Sequence, residues 1–133
     1  MSTVPTPPSP ITRDVRVSAA AAHAHLTDDA IQRGECEVPP WTSLAGDADG
    51  YRLTFQGDGQ MAPAGINYTL TIVPTGGTTC RIELSGTFLD LDGFVEAGVP
   101  PTTATMRRIQ GAMMRVFVHI AKTGDVELNS LDF

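Results

Sequence analysis

INYTLTIVPTGGTTCRIELSGTF, residues 66–88, decides the architecture of this chain. Apolar residues recur at every second position on both sides of a short glycine-bearing connector, which is the pattern of two strands with one face buried. Ile66, Tyr68, Leu70 and Ile72 share a face in the first half, and Cys80, Ile82, Leu84 and Phe88 share one in the second. The opposite faces carry Asn67, Thr69, Thr71, Arg81, Glu83, Ser85 and Thr87, so the sheet has one wet side and one apolar side. The connector PTGGTT, residues 74–79, is short enough to join the two strands as an antiparallel hairpin. Gly86, inside the second strand, permits a bulge or curvature there.

Working upstream, YRLTF (residues 51–55) repeats the pattern, with Tyr51, Leu53 and Phe55 on one face and Arg52 and Thr54 on the other. ITRDVRV (residues 11–17) reads as a first strand alternating around Val15 and Val17. Between these strands AAAAHAHL reads as a short helix capped by Ser18 or a neighbour, and a second helical piece begins at Asp28 and Asp29 and ends at Gly34. Pro39 and Pro40 impose an extended turn before Trp41, GDADG (residues 46–50) reads as a turn, and Gly57, Gly59 and Gly65 mark further turns or bends.

Downstream, MRRIQGAMMRVFVHIAK (residues 106–122) has helical spacing, with Pro100 and Pro101 near its start. Met106, Ile109, Met113, Phe117 and Ile120 form an apolar stripe, while Arg107, Arg108, Arg115 and Lys122 fall mostly off it. Three methionines stand within nine positions, at 106, 113 and 114. Such soft side chains suit either an irregular core or the wall of a cavity. The element order predicts an α+β fold in which a curved antiparallel sheet is covered by a long C-terminal helix. One helix is narrower than such a sheet, so a cavity between the two is expected.

With 133 residues, 41% of them apolar and 18% charged, the chain fits one globular domain. The expected organisation is a disordered proline-rich lead (residues 1–10), a single domain (residues 11–122) and a tail (residues 123–133). No apolar run approaches the roughly 20 residues of a membrane span. A net charge of −6 repels phosphate backbones, and with no basic-and-aromatic cluster nucleic acid is not expected as a partner. MSTVPTPPSP lacks the basic start and apolar stretch of a secretory signal, so a cytoplasmic location is expected. Cys36 and Cys80 are too far apart for a CxxC motif and read as buried, reduced thiols.

Motifs that carry chemistry are sparse. His23 and His25 stand two apart, which on a helix sends them to different faces, so they do not form a metal pair. Asp90 and Asp92 lack the spaced ligands of a calcium loop. GDADG and GDGQ lack the Lys-Ser/Thr of a phosphate loop, and no serine lies in a GxSxG context. No metal and no cofactor are expected. What remains is the expected cavity, lined by Trp41, Leu53, Leu70, Leu84, Phe88, Met106, Ile109, Met113 and Phe117, which would take an apolar small molecule. By strand parity Tyr51 and Tyr68 face it with hydroxyls that can orient a ligand, or are core residues anchored to backbone. Trp41 either caps its mouth or plugs the core.

Several stretches resemble the START-like, or SRPBCC, superfamily of helix-grip proteins, which includes polyketide cyclases, lipid-transfer domains and CoxG-like carbon monoxide dehydrogenase accessory proteins. VSAAAAHAHLTDD is similar to the family's segment after the first strand at Val17, Ser18, Ala19, Leu26, Thr27 and Asp28, without its proline and bulky pair. VPPWTSLAGDADGY is similar to CoxG-like members at Val38, Pro39, Ser43, Leu44, Gly46, Asp47 and Tyr51, and Trp41 sits where cyclase-like members often have P-x-W. PTGGTTCRIELSG followed by a long helix looks like the family's G-G-T strand and closing helix. The resemblance covers residues 11–122 and implies a helix-grip fold. It also implies, as an alternative to ligand binding, a cyclase or dehydratase acting on a polyketide-like substrate, with His25, Tyr51 or Tyr68 assisting proton transfer. Between Tyr51 and the G-G-T strand the chain is shorter than the family pattern by about a hairpin. A sheet with fewer strands would give a smaller cavity, or an exposed apolar edge that a second copy covers as a homodimer. A third reading is a non-catalytic assembly protein whose methionine face meets another chain.

Overall fold

The computed structural model describes residues 9–33, 41, 43–47, 50–56, 66–88, 98 and 102–124. Strand β1 (Ile11–Val15) is followed by helices α1 (Ala19–Leu26) and α2 (Asp29–Gln32). Strands β2 (Ser43–Asp47), β3 (Gly50–Gln56), β4 (Ile66–Gly76) and β5 (Thr79–Phe88) come next, and helix α3 (Thr103–Thr123) closes the order. The five strands form one sheet in the order β1-β5-β4-β3-β2, with every neighbouring pair antiparallel. The chain leaves β1 at one edge, crosses to the other through α1 and α2, and returns as a meander that ends beside β1. The architecture is the α+β arrangement of one antiparallel sheet and a long C-terminal helix that the alternating strands and the amphipathic helix imply, and it fits the helix-grip fold that the resemblance implies.

The register aligns the apolar positions into rows. Leu44, Leu53, Leu70, Leu84 and Ile11 stand opposite one another across all five strands. Leu53, Leu70 and Leu84 at its centre are fully buried, whereas Leu44 on the edge strand is 49% exposed. Phe55, Tyr68 and Gly86 form the next row. On the reverse face Thr54, Thr69 and Ser85 align, so a slip of one residue in any pairing would bring hydroxyls into the core. Arg81 pairs with Asp14 across β5 and β1 at 3.1 Å on that solvated side, a contact worth well under about 1 kcal/mol.

Each helix carries its own start signal. The Ser18 hydroxyl accepts from the Ala21 N–H, the Asp28 carboxylate from Ala30 and the Thr102 hydroxyl from Thr105, each satisfying a donor that the first helical turn leaves without a partner. Helix α3 stops at Gly124, whose φ of 75° lets its N–H return to the Ile120 carbonyl at 2.8 Å. Ala19, Ala22 and Leu26 form the buried face of α1. Their small bulk lets α1 lie against α3 while also reaching β3, β4 and β5.

The structure corrects four sequence readings. The first strand ends at Val15 rather than Val17, because residues 16 and 17 bend toward the α1 cap. Residues 43–47 form a strand that the sequence did not announce, and Asp47 pairs with Gly50, so strand pairing reaches into the expected turn over residues 46–50 from both sides. β4 runs on to Gly76 with a bulge between Pro74 and Gly76, so the hairpin turn is tighter than PTGGTT. On α3, Ile109 is only half buried, and the buried face holds Met106, Gln110, Met113, Met114, Val116, Phe117, Ile120 and Ala121 instead. At the C-terminal end of the helix α1 covers a further side, with His25 against Ala121 and Gly124. Readings that concern residues 1–8, Gly34, Cys36, Pro39, Pro40, Gly57, Gly59, Gly65, Asp90, Asp92, Pro100, Pro101 and 125–133 lie outside the described residues.

Candidate functional site

Among the described residues the layer between the inner sheet face and α3 is mostly apolar, with buried Thr105 near the start of α3 tied to the cap residue Thr102. Leu53, Phe55, Leu70, Ile72, Ile82 and Leu84 supply the sheet side; Met106, Met113, Met114, Phe117 and Ile120 supply the helix side. Tyr68 on β4 and Gln110 on α3 are polar members that are 0% exposed. The Gln110 Nε2 donates to the Leu84 carbonyl at 2.6 Å. Its Oε1 and the Tyr68 hydroxyl find no hydrogen-bond partner among the described residues. Burial pushes the Tyr68 hydroxyl far above its ordinary ionisation, so it keeps its proton at any ordinary pH.

The row Phe55–Tyr68–Gly86 shapes this region. A Cβ on Gly86 would lie 2.5 Å from the Met106 Cε and 3.0 Å from the Tyr68 Cε1. Glycine therefore makes the room in which the tip of Met106 and the edge of the tyrosine ring meet. On the other side of Tyr68 the aromatic rings continue. Tyr68 stacks on Phe55 at 5.3 Å, Phe55 meets Phe117 edge-on at 5.9 Å, and Trp41 lies 5.0 Å from Phe55 and 5.4 Å from Phe117. The indole Nε1 donates to the Leu26 carbonyl at 2.6 Å, and Trp41 is 6% exposed. Of its two sequence readings, this placement is the plug in the core.

The three residues weighed for proton transfer lie in separate surroundings. The His25 Nδ1 is 2.8 Å from the Ala121 carbonyl, and its ring lies against Gly124, so it ties α1 to the end of α3. Tyr51 is half buried, with its ring over the backbone of Gly46 and stacked on His23 at 4.1 Å and 15°. No hydrogen bond or ring contact joins any two of His25, Tyr51 and Tyr68 among the described residues. Of the expected ligand-lining residues, Leu53, Leu70, Leu84, Met106, Met113 and Phe117 come together in the layer with Trp41 beside them. Ile109 sits at its margin, and the Phe88 side chain lies outside the described residues. Sequence reasoning missed Gln110. The signal was available: Gln110 stands four positions after Met106 and three before Met113, on the stripe itself.

Among the described residues no group of three or more His, Cys, Asp or Glu can hold a metal ion, and no helix is long and apolar enough to cross a membrane. Cys80 is a buried free thiol whose ionisation burial raises. Desolvation lowers the ionisation of His23. Its contribution to stability is therefore complete above the unfolded value of about 6.5 and is lost as pH falls through the lower folded value. The urea midpoint is expected to drop between pH 7 and pH 5, and His23→Phe, which keeps a ring on Tyr51, is expected to flatten that drop. An equal drop in the variant would assign it to other groups.

No family model matches the chain, and no curated protein does. Five solved chains match it. One is a crystal structure of the di-domain ARO/CYC BexL from the BE-7585A biosynthetic pathway, 14% identical with a TM-score of 0.38, the match covering 86% of this chain and 48% of that one. The chain thus spans about half the length of that di-domain protein.

Proposed function

We propose that the protein binds a small apolar molecule in the layer between the inner face of β3–β5 and α3. The observation that carries this reading is the pair of buried polar atoms without a partner among the described residues, Tyr68 hydroxyl and Gln110 Oε1, in a mostly apolar layer. A buried polar group without a partner costs roughly 1–3 kcal/mol. A ligand that brings the complementary atom recovers that cost, and the methionines at 106, 113 and 114 supply walls that adapt to its shape. The sequence matches set out above support placing the chain in the START-like superfamily as a member with a reduced sheet. Its cyclases offer the second reading, but no hydrogen bond or ring contact joins any two of His25, Tyr51 and Tyr68 among the described residues, so binding is favoured over acid–base turnover.

Native mass spectrometry of protein purified from its own host, followed by identification of any released compound, tests this directly. A stoichiometric apolar compound is expected. Met113→Trp, which fills the layer from the centre of the α3 face, is expected to abolish uptake of that compound while the far-ultraviolet spectrum stays unchanged; Met113→Phe serves if the larger ring unfolds the chain. An empty protein, or undiminished uptake by a folded variant, would overturn the proposal.

A further inference from the structure

We infer that the ligand presents a hydroxyl group to Gln110 and that Gln110 selects for it, an inference that rests on the proposed occupancy of the layer. A main-chain carbonyl can only accept, so the contact of 2.6 Å with the Leu84 oxygen must come from the amide nitrogen. That contact fixes which way the amide faces. Its oxygen is left as a buried acceptor with no donor among the described residues. The Tyr68 hydroxyl, protonated and also unpartnered, can both donate and accept.

The two groups restrict what can enter. Gln110 Oε1 requires a hydrogen from the ligand. A ketone or an ether can accept from Tyr68 but has nothing to give Gln110, which leaves the orphaned acceptor as it was. A carboxylate would set oxygen lone pairs against that acceptor and bring a charge into a layer whose buried polar side chains, Tyr68, Thr105 and Gln110, are all neutral. A protonated amine would carry a charge into the same surroundings. An alcohol or phenol gives a hydrogen to Gln110 without bringing in any charge. The rest of the molecule must be apolar to suit the methionine and leucine walls.

The test uses one skeleton with four end groups on the full chain: 2-naphthol, 2-methoxynaphthalene, 2-methylnaphthalene and 2-naphthoate, titrated against the 13C-labelled methyl groups of the methionines. 2-Naphthol is expected to bind about tenfold or more tightly than the ether and the hydrocarbon, the ratio that satisfying one buried acceptor produces, and 2-naphthoate is expected to bind weakest. In Gln110→Met the preference for 2-naphthol over 2-methylnaphthalene is expected to shrink to about twofold, and the hydrocarbon is expected to bind no worse than in the parent. Equal affinities for naphthol and ether in the parent protein would overturn the hydroxyl inference and leave the binding reading standing. So would a preference that survives in Gln110→Met. Four probes that all leave the methionine methyls unmoved would overturn both. The comparison within the parent protein decides the matter even if the variant fails to fold.

Discussion

Trp41→Ala is expected to lower the free energy of unfolding by about 3–5 kcal/mol, against a total of roughly 5–15 kcal/mol for a domain of this kind. Two losses combine. The indole fills the space between Phe55 and Phe117, with centroids 5.0 and 5.4 Å away, and alanine leaves a cavity that the surrounding rings close only in part. Its Nε1 also serves the carbonyl of Leu26, the last residue of α1, one of the carbonyls that a helix C-terminus leaves without a helical partner. Trp41→Phe separates the two: it keeps a ring in place and removes the donor, at an expected cost nearer 1–2 kcal/mol on a rough scale. Urea unfolding followed by far-ultraviolet circular dichroism measures both. A loss below about 1 kcal/mol for the alanine variant would mean that the indole is not part of the core, since truncating a buried tryptophan costs more than that. Trp41→Ala and Phe117→Ala are expected to be less than additive, because each removes a wall from the cavity made by the other.

How much of this was legible in the sequence depended on whether a residue's fate is set locally. Strand parity in β3, β4 and β5 could be read because alternation is a property of the strand itself: Leu53, Phe55, Tyr68, Leu70, Ile72, Cys80, Ile82 and Leu84 are all fully buried as their spacing implies. β2 could not be read this way. Of its five residues only Leu44 and Ala45 are apolar, Leu44 is largely exposed, and the strand exists through its backbone pairing with β3. The α3 stripe was legible as a period but not in its width, since Met114, Val116 and Ala121 are buried alongside the stripe and the position of α1, whose His25 meets Ala121, is not a local property of the helix. The stack of His23 on Tyr51 depends wholly on where α1 lies over β3. Tyr68 was legible as an inward-facing hydroxyl; that nothing answers it among the described residues was not.

Gly86→Ala is the second large effect, and its interest lies in how Met106 controls it. Gly86 is not among the glycines with positive φ, so its backbone tolerates any residue, and alanine alone would gain about 0.4–1 kcal/mol by restricting the unfolded chain. Packing reverses that sign. The new methyl would lie 2.5 Å from the Met106 Cε, the movable end of a side chain that is itself fully buried, and 3.0 Å from the Tyr68 ring, an overpacking expected to cost about 1 kcal/mol net, the low end of the usual range because the methionine tip can shift. In a Met106→Ala background the closer neighbour is gone. Met106→Ala alone is expected to cost about 2–5 kcal/mol through the cavity it opens, and the methyl at position 86 then fills part of that cavity, so the second substitution is expected to be neutral or stabilising. The coupling between the two sites, roughly 1–3 kcal/mol from a double-mutant cycle, is the decisive quantity. If Gly86→Ala costs the same with and without the methionine, the tip of Met106 does not lie over Gly86. The room beside the Tyr68 hydroxyl would then be set by some other contact. If the coupling is found, Gly86 is the position at which a single added carbon competes both with the methionine and with anything that approaches Tyr68 from the sheet side. Gly86→Ala should then weaken binding of 2-naphthol in the parent background and weaken it less when Met106 is alanine.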